Sequence, residues 1–215
     1  MTTLIVVRHG ETDWNRSRRL QGHTDIGLNA TGRLQAERIA AHFAARFAAH
    51  AGIESIAAVH TSDLARARET ARPVAAALDL VAQETPLLRE RNYGLFEGLT
   101  FEEILRRYPV DAQRLRARDP SHEMPGGESQ SAFHARVVAA VGSIALDDAT
   151  EGKERRVLIV THGGVLDMLY RAANDLPLDA ERRCAIPNAA LNRFSFRNGR
   201  FTVLEWGNDG HLDGI

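Results

Sequence analysis

The chain has 215 residues, with 27 basic side chains against 28 acidic ones and a formal net charge of −1; Lys153 is the only lysine, so the other 26 basic residues are arginines. That balance argues against a general nucleic-acid or membrane-surface binder, which needs net positive charge to hold phosphates or anionic lipid. No uninterrupted apolar run exceeds five residues, far short of the ~20 that span a bilayer, and Met1-Thr2-Thr3 lacks the basic start of a secretory signal, so a soluble cytoplasmic protein is expected.

The first element is Leu4-Ile5-Val6-Val7, a short β-branched run that reads as a buried strand. Residues 31–50 follow with Ile39, Phe43 and Phe47 at four-residue spacing, a helix with one apolar stripe. Ile56-Ala57-Ala58-Val59 reads as a strand, residues 64–78 as a helix that Pro73 is expected to kink or split, and Leu80-Val81-Ala82 as a weaker strand. Thr100 and Glu103 form a capping box opening a helix that ends near Tyr108-Pro109. Residues 119–127, with three prolines and glycines in a row at Pro125-Gly126-Gly127, are a loop. Phe133, Val137 and Val141 mark another amphipathic helix, and Val157-Leu158-Ile159-Val160 another buried strand. Residues 190–196 and 201–206 flank Asn198-Gly199, a tight-turn signal, so the C-terminus reads as an antiparallel hairpin.

Strands alternating with helices predict an α/β fold, a three-layer αβα sandwich with a mainly parallel central sheet and the antiparallel hairpin at its end. No linker, repeat or low-complexity segment divides the chain, so residues 1–215 are expected to form a single domain. Cys184 is the sole cysteine, and its neighbours form no redox or metal motif; it is expected to be structural.

Two of the strands share a plan. Leu4 to Val7 runs into Arg8-His9-Gly10, and Leu158 to Val160 into Thr161-His162-Gly163-Gly164. Each histidine then sits at the carboxyl end of its strand, the edge where open α/β sheets bind ligands, so two distant segments can face one site. The glycines allow backbone N–H groups close to an anion, and Gly163-Gly164 begins a helix whose positive dipole end favours phosphate. Arg8 adds a forked cation matched to phosphoryl oxygens. No phosphate-binding Gly-x-x-x-x-Gly-Lys loop and no zinc motif is present. Side chains are therefore expected to neutralise a phosphoryl group with no metal or other cofactor, and an imidazole nitrogen can attack phosphorus to give a covalent phosphoenzyme.

Arg8-His9-Gly10-Glu11-Thr12 followed by Asp13-Trp14-Asn15 closely resembles the Arg-His-Gly motif of the histidine phosphatase superfamily, which includes the cofactor-dependent phosphoglycerate mutases. Arg19-Leu20-Gln21-Gly22, Thr61 to Ala67, Leu88-Arg89-Glu90 and Thr161-His162-Gly163 resemble that family's later motifs in the same order. The resemblance implies that His9 is the nucleophile, that Arg8, Arg66 and His162, the last as an imidazolium, bind the phosphoryl oxygens, and that Glu90 is the proton donor. It also implies supporting phosphate contacts from Asn15, Gln21, Gly22 and Gly163, and substrate contacts from Arg68 and Tyr93. His23, His42, His50, His60, His122, His134 and His211 are expected to be structural or solvent-facing, and Trp14 and Trp206 to be packing residues.

The mutases of this family usually carry a long insertion after the acid motif. The compact run from Glu90 through Tyr93-Gly94-Leu95-Phe96-Glu97-Gly98 to Pro125-Gly126-Gly127 resembles the phosphatase branch instead. The expected function is thus a metal-independent phosphatase acting on a small phosphorylated metabolite. A phosphoglycerate mutase and a non-catalytic phosphate-binding module are the alternatives. Oligomeric state is not legible.

Overall fold

The computed structural model describes residues 1–49, 55–146, 155–182 and 184–215. The strands β1 (Thr2–Arg8), β2 (Ala58–Ser62), β3 (Ala82–Thr85), β4 (Arg155–Thr161), β5 (Leu191–Arg197) and β6 (Arg200–Asn208) form one sheet in the order β3-β2-β4-β1-β5-β6. The first four run parallel, β5 is antiparallel to β1, and β6 to β5. The connecting helices are α1 (Asp13–Arg16), α2 (Ala30–Ala49), α3 (Ala65–Ala77), α4 (Phe101–Arg107), α5 (Pro109–Arg116), α6 (Gln130–Leu146) and α7 (Gly163–Ala173).

Alternation along the strands divides the core in two. Leu4, Val6, Val157 and Ile159 pack with Phe133 and Val137 of α6 and Val165 and Leu169 of α7. Val7, Leu158 and Val160 face the opposite way, against Ile39 and Phe43 of α2 and Ala67 and Val74 of α3. Strands covered on both faces are apolar at successive positions, which is why these runs were readable. The expected three-layer sandwich and terminal hairpin are both present; Asn198 and Gly199 take φ values of 51° and 76°, the left-handed pair of a tight hairpin turn.

Between β3 and α6 a third, smaller core of Phe96, Ile104, Ala112 and Met124 holds α4 and α5. It is tied to the chain after α1 by Leu20 N donating to Leu99 O at 3.0 Å and Gly98 N to Leu20 O at 2.8 Å. Trp14 lies against Gly98, which has no side chain to obstruct the ring.

Several boundaries differ from expectation. β2 starts two residues later than predicted, and β3 begins where the predicted strand ends. α3 continues through Pro73 rather than splitting. α5 was not anticipated, because Pro109 was read as a terminator; it occupies the first turn of a new helix, where a missing N–H costs nothing. His50 lies outside the described residues.

Candidate active site

β1 and β4 are neighbours, with Arg8 opposite Thr161 in register. The residues that follow, His9 and His162, therefore leave the sheet side by side. His9 N donates to Thr161 O at 2.8 Å, and the two imidazole centroids are 5.2 Å apart. Both rings are buried.

Hydrogen bonding assigns the tautomers. His9 Nδ1 is 2.7 Å from Gly10 O, and a carbonyl only accepts, so Nδ1 carries the hydrogen and the lone pair is on Nε2. Burial, then the charges of Arg66 and Arg8, hold His9 well below the ordinary histidine value, against the opposing pull of the Gly10 carbonyl. It is a neutral imidazole at pH 7, with an unprotonated nitrogen. His162 has the reverse arrangement. Its Nδ1 accepts from Arg66 Nε at 3.3 Å, so Nε2 is the N–H, and that buried atom has no protein partner. Burial and the adjacent Arg66, His9 and Arg8 also hold His162 well below its ordinary value. The imidazolium expected from the sequence is thus a neutral N–H donor in this structure, because the ring is buried and, after that, because the Arg66 and Arg8 guanidiniums stand beside it.

Arg66, in the first turn of α3, is fully buried. Its Nη1 donates to Thr24 O at 2.9 Å and its Nη2 to Gly22 O at 2.7 Å. Burial lowers it to about 10, with Glu90, Asp25 and Glu97 opposing the shift, so it remains a cation near neutrality. Its hydrogen-bond partners are neutral carbonyls and an imidazole, which leave its charge available to an anion. Arg8 is similar: Nη1 donates to Ile186 O at 2.5 Å, Nε is buried without a partner, and burial lowers its pKa.

Glu90 follows β3 in a segment clamped from several sides. Arg136 of α6 donates to Leu87 O, Arg89 O and Glu90 O at 2.9, 3.0 and 3.1 Å, and His23 Nε2 is 3.0 Å from Glu90 O. Arg89 forms a two-point pair with Asp63 at 2.7 and 2.6 Å, while Arg91 reaches Glu128 O and His122 O. Neither arginine therefore pairs with the Glu90 carboxylate. That carboxylate accepts from Arg91 N at 2.8 Å and from Gly164 N at 2.9 Å. A Cβ on Gly164 would stand 2.0 Å from Glu90 Oε1, so the close approach requires glycine.

His9, Arg8, Arg66, Glu90 and Gly164 line a cleft of about 240 Å³ that also includes Asn15, Arg19, Gln21, Tyr93, Gly163, Arg182 and Ile186, while the fully buried His162 is not among its lining residues. Asn15 Oδ1 is occupied by Thr12 N and Asn188 Nδ2, which leaves its own Nδ2 for the cleft. Gly22, at φ 52°, stands behind the cleft and contributes the carbonyl that orients Arg66. Arg68 is not among the lining residues. Two positions from Arg66, it is rotated about 200° around the helix and approaches Glu84 at 3.7 Å and Asp25 at 4.0 Å on the outer face.

Sequence reasoning missed Glu97, Asn188 and Arg182. Glu97 accepts from His23 N, Thr24 N and Tyr93 N at 2.8, 2.7 and 3.1 Å and so organises two loops. Asn188 Nδ2 donates to His9 O at 2.8 Å. Arg182 sits in a motif-free loop, where no sequence signal marks it. Trp206 packs on Tyr170 with centroids 4.7 Å apart, as expected of a packing residue, and Cys184 is a half-buried free thiol.

Residues 4–209 match the sequence profile of the histidine phosphatase superfamily, branch 1. Phosphoglycerate mutase-like protein 4 of Arabidopsis thaliana is 35% identical over 98% of this chain and 86% of its own length. A metal-independent phosphoserine phosphatase from the same plant is 32% identical over 100% of this chain and 85% of its own. Among solved structures, Bacillus stearothermophilus YhfR superposes with a TM-score of 0.84 at 34% identity, covering 99% of this chain and 100% of that one. The ordered motifs, the paired strand-end histidines and a match over nearly the whole length place this chain in the histidine phosphatase superfamily.

Proposed function

We propose that the protein hydrolyses small phosphomonoesters without a metal, through a phosphohistidine on His9. The observation that carries this reading is the His9 tautomer: Nδ1 is committed to Gly10 O, so the lone pair is on Nε2, in a cleft lined by two arginines whose hydrogen-bond partners bring no counter-charge. In the first step Nε2 attacks phosphorus, an N–P bond forms and the P–O bond to the leaving group breaks. The departing oxygen takes a proton from the Glu90 carboxyl. In the second, Glu90 removes a proton from water, the water oxygen bonds to phosphorus and the N–P bond breaks. Arg8, Arg66 and the His162 Nε2–H hold the equatorial oxygens, where charge is spread in the transition state. Asn15, Gln21 and the Gly163 backbone add neutral contacts, and Tyr93 borders the leaving group.

Turnover of p-nitrophenyl phosphate in EDTA, lost in His9→Ala, is the expected result; no turnover by the wild type would overturn the reading. The name of the 35% identical relative favours mutase action as a second reading. Interconversion of phosphoglycerates dependent on a bisphosphoglycerate primer, faster than hydrolysis, would establish it.

A further inference from the structure

Behind the phosphoryl cleft, one peptide group stands between two charges. The peptide joining Gly22 to His23 presents its carbonyl to Arg66, accepting from Nη2 at 2.7 Å, and its N–H to Glu97, donating to Oε1 at 2.8 Å. The guanidinium and the carboxylate thus grip opposite ends of a single planar unit, which cannot turn without losing both charge-assisted bonds. Thr24 adds a second connection. Its carbonyl accepts from Arg66 Nη1 at 2.9 Å, while its N–H and Oγ1 donate to Glu97 Oε2 at 2.7 and 2.5 Å.

Gly22 makes the approach possible. At φ 52° it takes the left-handed conformation, and a Cβ there would stand 2.0 Å from Glu97 Oε1. Glu97 is itself fixed, because Oε1 also accepts from Tyr93 N at 3.1 Å. The turn that orients Arg66 and the segment that carries Tyr93 are therefore built on the same carboxylate. Charge adds to contact geometry: burial lowers Arg66, and Glu90, Asp25 and Glu97 oppose that shift. The Glu97 oxygens are engaged by the donors of His23, Thr24 and Tyr93, so the carboxylate steadies Arg66 through polarised peptide groups rather than by contact with its fork.

We infer that Glu97 is a positioning residue for phosphoryl binding: through the Gly22–His23 peptide and Thr24 it fixes the Arg66 guanidinium in the orientation that meets an anion in the cleft. The inference rests on the phosphatase reading for the part Arg66 plays in the reaction. Glutamine has the shape of glutamate but a single side-chain oxygen. Whichever way its amide turns, the NH2 group faces the N–H groups of His23 and Tyr93 or that of Thr24, and one of the two connections is lost.

A double-mutant cycle tests this, because residues in one hydrogen-bond network are non-additive. Calorimetric binding of inorganic phosphate and kcat/KM for p-nitrophenyl phosphate are compared in the wild type, Glu97→Gln, Arg66→Met and the double variant. Glu97→Gln alone is expected to weaken phosphate binding and to lower kcat/KM, each about tenfold, but to change either by less than about twofold once Arg66 is replaced by methionine. Equal losses in the two backgrounds, the mark of a merely structural role, or no loss in the first, would overturn the inference. If phosphate binding shows this coupling while the wild type hydrolyses no ester, the phosphatase reading falls and the positioning role stands. Should Glu97→Gln fail to fold, amide deuterium exchange decides. Protection of the His23 N–H by about a hundredfold or more in the wild type, reduced about tenfold in Arg66→Met, supports the link; protection unmoved by Arg66→Met rejects it.

Discussion

Arg66 illustrates how a single side chain can be costly for folding and useful for chemistry. Removing a guanidinium from water costs several kcal/mol even after relaxation, and its hydrogen bonds to Gly22 O and Thr24 O offset part of that. Arg66→Met removes the buried charge but leaves two carbonyls without a donor, at about 1–3 kcal/mol per group. The two effects oppose each other, so the melting temperature should change little while kcat falls about 10²–10³-fold, the loss typical of one transition-state donor. A folded variant with undiminished kcat would contradict the role of Arg66. His9 and His162 make a separate statement about stability. Both are held neutral in the folded protein, whereas in the unfolded chain they protonate near the ordinary value of about 6.5. Below about 6.5 the unfolded state binds protons that the folded state does not, so stability is full above that pH and declines as pH falls, by up to about 1.4 kcal/mol per pH unit for each histidine. Denaturant midpoints measured across pH 5–7 should show a shallower decline in His162→Gln than in the wild type; equal slopes would mean that His162 is not held neutral.

At the level of elements, the junction between β4 and α7 does most to assemble the site. It delivers His162 as the residue before the helix, Gly163 beside Arg8, and Gly164 N to the Glu90 carboxylate. Gly164→Ala would drive the acid away from its place, and a displacement of about 1 Å can cost 10²-fold. The expected result is a larger loss of kcat for phenyl phosphate than for p-nitrophenyl phosphate, since the poorer leaving group depends more on the proton from Glu90. Equal losses would argue against Glu90 as the donor. The strand-end histidines were legible because the apolar runs before them are buried on both faces. The edge strand β3 was poorly placed for the opposite reason: it is half exposed and polar, and Val81, which suggested it, is 84% exposed. The capping box at Thr100 was read correctly, with Thr100 Oγ1 accepting from Glu103 N at 3.2 Å. Glu97, Asn188 and Arg182 escaped because polar residues in loops acquire partners only through tertiary folding, and spacing along the chain does not encode them.

Over the whole molecule, the net charge of −1 hides a steep local gradient. Arg8, Arg19, Arg66 and Arg182 all line the phosphoryl cleft, where the topology brings together segments from residues 8 to 186. Such focusing speeds the encounter with small anions in a salt-dependent manner. kcat/KM for p-nitrophenyl phosphate should therefore decrease as ionic strength rises; a salt-independent kcat/KM would show that this local charge does not steer the ester. The central claim concerns one bond, that between His9 Nε2 and phosphorus. It is tested most directly by mixing Glu90→Gln, in which hydrolysis of the intermediate lacks its base, with p-nitrophenyl phosphate, quenching in alkali and locating the phosphoryl group by peptide mass spectrometry. An acid-labile adduct on His9, formed at the rate of the first p-nitrophenol release and absent from His9→Ala, is the predicted result. Turnover with no phosphorylated histidine at any time, or with the phosphoryl group on His162, would contradict the account.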